Sequence, residues 1–160
     1  MTTTDGNGAD RAAIQAAIPH RDPFLLLDRV VEEGEGWLLA EWTVPADGAW
    51  FQGHFPGQPV TPGVLLAEHS FQAAAVLISH ALDGFGDDAG VPVLTRIQDA
   101  RYRRRVDPGE TLRTRVEVDE IVGPAWYLRA KIALAEDGAK VATLRFCLTS
   151  TGAVERLGLG

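Results

Sequence analysis

Residues 50–82 read WFQGHFPGQPVTPGVLLAEHSFQAAAVLISHAL, a proline-rich turn running into a long apolar stretch. From Pro62 onward the pattern predicts one helix. Thr61 is placed to cap it, and Pro62 falls where a missing backbone N–H costs nothing. Apolar residues then occupy every side (Val64, Leu65, Leu66, Phe71, and Ala73 to Ile78), and a helix apolar all round is a buried helix. Glu68, His69, Gln72 and His80 interrupt it too often for a bilayer span. A buried carboxylate is expensive unless paired, so Glu68 in the second turn needs a partner. Gln72, four residues on, lies on the same face and is placed to hold it.

The first half of the stretch supplies a second polar group. Gly53-His54-Phe55-Pro56-Gly57 is a turn, and Pro56, Pro59 and Pro62 stiffen the path into the helix. An imidazole on a rigid turn and a carboxylate near the start of a buried helix form an acid/base pair, His54 with Glu68. The helix N-terminus adds the free N–H groups of Gly63 and Val64, which suit developing negative charge.

Taken with PHRDPFLLLDRV (residues 19–30) upstream and RYRRRVDPGE (residues 101–110) downstream, GHFPGQPVTPGVLLAE (residues 53–68) resembles the β-hydroxyacyl-acyl carrier protein dehydratases of the hotdog fold. The resemblance runs from Ile18 to Thr149 in the same order, and three ordered motifs make it specific. It implies an α+β hotdog fold, a long central helix wrapped by a curved antiparallel β-sheet. It implies that His54 and Glu68 are catalytic and that the Gly63 N–H meets a thioester carbonyl. It also implies an acyl carrier protein with phosphopantetheine-linked substrate as partner, and a homodimer or trimer of dimers with sites shared between subunits. The residues suit removal of water from a (3R)-3-hydroxyacyl thioester: an α-proton leaves, an enolate-like oxygen is stabilised, and the hydroxyl departs. Such an elimination uses neither redox nor Lewis-acid chemistry, so neither cofactor nor metal is expected. Two positions depart from the family pattern. His69-Ser70-Phe71 replaces the usual small residues after the acidic one, which makes Phe71 a candidate to narrow or redirect an acyl tunnel. Arg105 stands where relatives often carry proline.

The remainder of the chain fits one domain. Its 160 residues suffice for a sizeable core, and 46% hydrophobic with 23% charged residues is ordinary for a soluble globule. A net charge of −7 argues against non-specific nucleic-acid binding. One cysteine forms no internal disulfide and fits a reducing cytoplasm. Residues 1–9, with neither basic nor apolar secretory features, are expected to be a disordered leader, residues 10–151 the domain, and residues 152–160 a flexible tail. Asp10 to Ile18 is expected to be a short helix capped by Asp10 and stopped by Pro19. Phe24 to Glu33, with its continuous apolar centre, and Trp37 to Val44 are expected as strands. Four further strands are expected at residues 91–106, 111–122, 125–135 and 139–151, and the short turns between them imply antiparallel neighbours. One apolar helix plus an antiparallel sheet has one economical arrangement, with the sheet wrapped round the helix.

Other polar residues have blander readings. His20 and Arg21 are expected to seat the first strand, and His69 and His80 to sit at the helix margin or a subunit contact. Cys147 and the tryptophans belong to core or interface. A metal set of His54, Glu68 and His69 lacks zinc-type spacing. Between Arg96 and Arg115 lie seven arginines against three acids, a local charge of +4. By strand alternation Arg101, Arg103 and Arg105 share a face, which suggests either a solvated surface or a docking strip for an acidic carrier protein. Three alternatives stay open: a hotdog thioesterase, which has no need of His54; a dehydratase that also isomerises, typically with Asp at position 68; and a non-catalytic acyl-binding module.

Overall fold

The computed structural model describes residues 6–86 and 90–151. In chain order these form α1 (Gly6–Ala17), β1 (Arg29–Gly34), β2 (Trp37–Thr43), a 3₁₀ turn (Ala49–Gln52), α2 (Gly63–Ala81), β3 (Pro92–Tyr102), β4 (Thr111–Val122), β5 (Ala125–Leu134) and β6 (Lys140–Ser150). The six strands make one antiparallel sheet in the order β1-β2-β4-β5-β6-β3. Helix α2 lies across one face and touches β2 through β6. Alternate residues supply that face: Leu38, Ala40 and Trp42 from β2, Leu112 and Val116 from β4, Leu144, Phe146 and Leu148 from β6. A single apolar helix laid on an antiparallel sheet is the hotdog arrangement expected from the sequence.

Between Leu66 and Ser79 every residue of α2 is buried except Glu68. Phe71 packs edge-on against Phe146, with ring centroids 4.7 Å apart. His69 is fully buried, not marginal. Its Nδ1–H donates to the Leu26 carbonyl at 2.7 Å, and its Nε2 accepts from Thr114 Oγ1 at 2.8 Å. Burial, opposed by the Leu26 bond, pulls its pKa down to about 4, so the ring stays neutral. His80, by contrast, lies at the exposed helix margin as expected, with Nδ1 2.6 Å from Glu33 Oε2.

Four expectations need correction. The apolar run Leu25–Leu27 is buried but is not strand; β1 begins only at Arg29. Side chains satisfy its backbone instead of a neighbouring strand. Leu26 N–H donates to Gln72 Oε1 at 2.8 Å, and Gln72 Nε2 donates to the Phe24 carbonyl at 2.8 Å. Arg11 Nη1 takes the Leu27 carbonyl at 3.0 Å. Second, β3 ends at Tyr102 and pairs with β6, so it forms no hairpin with β4. Past Tyr102 the chain turns towards the entry to α2, where Thr61 N–H donates to the Val106 carbonyl at 2.9 Å. Third, α1 starts at Gly6, which puts Asp10 inside the helix and not at its cap. Of the expected leader and tail, residues 1–5 and 152–160 lie outside the described residues. Fourth, Pro62 is the N-cap residue of α2, and among the described residues no side chain caps the helix and Thr61 Oγ1 is buried without a partner.

Candidate active site

The turn carrying His54 is pinned by its own backbone. His54 N–H donates to the Trp50 carbonyl at 2.9 Å, and Val60 N–H returns to the His54 carbonyl at 3.0 Å. The ring stacks on Phe55, with centroids 4.1 Å apart. His54 Nδ1 lies 2.8 Å from the Val60 carbonyl. A carbonyl can only accept, so Nδ1 carries a proton, and in the neutral ring Nε2 is the nitrogen with the lone pair.

His54 lines an open cleft of about 470 Å³ together with Val60, Gly63, Leu66, Tyr102 and Arg103. The cleft meets the first turn of α2. Among the described residues, no acceptor receives the N–H of Gly63 or Val64, as expected for the start of a helix. Tyr102 closes one side by donating its hydroxyl to the Gly63 carbonyl at 3.0 Å. A Cβ at position 63 would lie 3.2 Å from the Tyr102 ring, so glycine permits this close approach. Val64 turns outward and is 74% exposed.

Glu68 sits one turn further along α2, with its side chain 24% exposed. Gln72 Nε2 donates to Glu68 Oε1 at 2.9 Å, the i,i+4 grip the spacing predicted. His20 Nε2 lies 3.6 Å from the same oxygen. Glu68 does not line the cleft, and among the described residues neither a hydrogen bond nor an ion pair joins it to His54. One chain therefore brings His54 and Gly63 together but keeps Glu68 apart from them. His20 was the polar neighbour that sequence reasoning missed. Its signal was present in Pro19-His20-Arg21, directly ahead of an apolar run whose backbone leans on α2.

The arginines do not form one stripe. β3 stops at Tyr102, so strand alternation does not extend to Arg103 and Arg105. Most of them face acids: Arg101 with Asp99, Arg104 with Glu110, Arg105 with Asp107, Arg115 with Glu117. Arg113 shares the buried Glu41 with Arg29. Burial pushes the Glu41 carboxyl up, but hydrogen bonds from Arg113 and Arg29 outweigh it and hold the pKa below the usual range. Among the described residues, Arg96 and Arg103 have no carboxylate within ion-pair distance, and only Arg103 of the two lines the cleft.

No three His, Cys, Asp or Glu side chains cluster as a metal set among the described residues. Nor is any of their helices long and apolar enough to cross a membrane.

Comparison with known proteins shows the family. The FabA-like domain model matches residues 18–145. The 3-hydroxyacyl-[acyl-carrier-protein] dehydratase FabZ of Verminephrobacter eiseniae is 36% identical over 148 residues, covering 92% of this chain and 99% of that protein. The FabZ of Anaeromyxobacter dehalogenans is 46% identical over 118 residues, covering 73% of this chain and 76% of its own. Among solved structures, a chain of the dehydratase heterocomplex ApeI:P from Xenorhabdus doucetiae gives a TM-score of 0.74 at 19% identity, covering 91% of this chain and 95% of that one. The E. coli PaaI protein gives 0.58 at 18% identity, with coverage of 89% and 88%. At such identities the structural likeness speaks for the hotdog fold alone. The domain match and the FabZ relatives together make this chain a member of the FabA-like 3-hydroxyacyl-[acyl-carrier-protein] dehydratase family.

Proposed function

We propose that this protein is a cytoplasmic dehydratase that converts a (3R)-3-hydroxyacyl thioester on acyl carrier protein into the trans-2-enoyl thioester and water. The observation that carries the reading is His54: its Nδ1–H is committed to Val60, which leaves Nε2 available, and the residue lines a cleft that also meets the bare N-terminus of α2. In the proposed reaction Nε2 takes a proton from C2. The Gly63 N–H, with the start of the helix behind it, stabilises the charge that moves onto the thioester oxygen. The C2–H electron pair becomes the C2–C3 double bond as the C3–O bond breaks. Glu68 meets the C3 hydroxyl and assists its departure. The proton removed from C2 is balanced by the one the hydroxyl takes up from the His54/Glu68 pair as it leaves as water, so that both residues return to their starting states.

Because one chain separates Glu68 from the His54 cleft, the proposed site draws Glu68 from a second copy. Support comes from β3. It lies at the sheet edge, exposed from Leu94 to Tyr102, with apolar Leu94 and Ile97 among those residues. An open, partly apolar edge strand is a template for antiparallel pairing with its own kind. Phe55, beside His54, is 53% exposed and would be covered in such a dimer.

Mass spectrometry of 3-hydroxyacyl-carrier proteins of several chain lengths after incubation tests the reading. Loss of one water from the acyl chain is expected. Release of the acyl group would instead mark a thioesterase, and an unchanged mass would mark a binding module.

A further inference from the structure

We propose that His20 is a positioning residue for Glu68, fixing one carboxylate oxygen so that the other meets the substrate hydroxyl. The inference rests on the role given to Glu68 above. His20 Nε2 lies 3.6 Å from Glu68 Oε1, and Gln72 grips that same oxygen at 2.9 Å. Among the described residues no hydrogen bond reaches Oε2. The carboxyl group is therefore held on one side and open on the other.

Burial decides which nitrogen of His20 carries the proton. Among the described residues, Nδ1 is buried without a partner. An orphaned N–H there would be costlier than an unused lone pair, so the proton belongs on Nε2, facing Glu68. The charged groups around the ring are Glu68 from α2 and the adjacent Arg21. Burial lowers the pKa of His20 most strongly, Glu68 raises it and Arg21 lowers it again, with a net decrease that keeps the ring a neutral donor. The backbone beneath it is braced: Arg21 Nη1 donates to the Ile18 and His20 carbonyls at 2.9 and 2.7 Å, and Nη2 to the Gln15 carbonyl at 2.9 Å. A separation of 3.6 Å is an approach short of a formed hydrogen bond. Such approaches tighten when substrate closes a site.

The test compares kcat and KM for His20→Leu, His20→Gln, Glu68→Gln and the His20→Leu/Glu68→Gln double variant, with circular dichroism to establish folding. Leucine removes the donor, whereas glutamine restores an N–H of similar reach. His20→Leu should lower kcat about tenfold with KM nearly unchanged, and His20→Gln should recover most of it. In the Glu68→Gln background, His20→Leu should cost nothing more, because a residue acting through Glu68 then has nothing to act on. Wild-type kcat in folded His20→Leu, or the same fold-loss in both backgrounds, would overturn the proposal. If His20→Leu fails to fold, the Gln variant decides: kcat must track the donor, and a loss as deep as that of Glu68→Gln would overturn the proposal. Wild-type turnover by Glu68→Gln would remove the role of Glu68 itself and the proposal with it, whereas an impaired Glu68→Gln beside an unimpaired His20→Leu would defeat the proposal alone.

Discussion

In the proposed reaction His54 serves as a base only while its Nδ1–H stays on the Val60 carbonyl, which keeps the lone pair of the neutral ring on Nε2. His54→Ala should therefore lower kcat by at least ~10²-fold, the usual worth of general acid–base catalysis. Its melting temperature should stay close to wild type, since a part-buried turn imidazole contributes little packing. A near-wild-type rate in the folded variant would remove His54 from the chemistry. At this scale much was legible. A histidine between Gly53 and Pro56 and a carboxylate four residues before Gln72 are local patterns, and the i,i+4 grip follows from helix geometry alone. His20 was not legible in that way, because its partner lies on another element and only the folded chain brings the two together.

The segment Phe24–Leu27 shows how a side chain can substitute for a strand. An apolar run covered on both sides reads as a buried strand, and nothing within the run says that Gln72 and His69 will take its backbone groups. Replacing Gln72 by Leu strands the buried Leu26 N–H and removes the donor to the part-buried Phe24 carbonyl. The expected loss is about 1–3 kcal/mol in denaturant unfolding, the cost of the one fully buried orphan. His69 ties the same segment to β4, and its titration gives a second prediction. Its folded pKa, about 4, lies below the ordinary 6.5. The unfolded chain therefore binds the extra proton first, and stability falls as pH drops from 6.5 towards 4. By pH 5 this one group should cost roughly 2 kcal/mol. His20, also lowered, adds in the same direction. Thermal melts between pH 7 and 5 check this: His69→Leu should start lower at pH 7 but lose much less on acidification. An unchanged slope would mean that His69 is not the group being titrated.

Across the whole molecule the sequence indicated the layers but not the strand order. The DPG turn after the arginines looked like a hairpin, yet β3 pairs with β6 while β4 lies beside β2. β3 also ends at Tyr102, ahead of Arg103, which is the cleft arginine without a paired acid among the described residues. If Arg103 steers an acidic carrier protein, Arg103→Glu should raise KM for the carrier-bound substrate and flatten its dependence on salt. A short pantetheine thioester should be affected far less. Arg101→Glu, which disrupts a pair with Asp99, should do less than Arg103→Glu, and equal effects would restore the stripe. The proposed chemistry requires a site assembled from two copies. Co-expressing the His54→Ala and Glu68→Gln chains allows mixed pairs in which one site receives both native residues. Random pairing then predicts recovery to about a quarter of wild-type turnover, from two chains that are each nearly inactive alone. If the mixture shows no more turnover than either variant by itself, His54 and Glu68 do not meet across two chains.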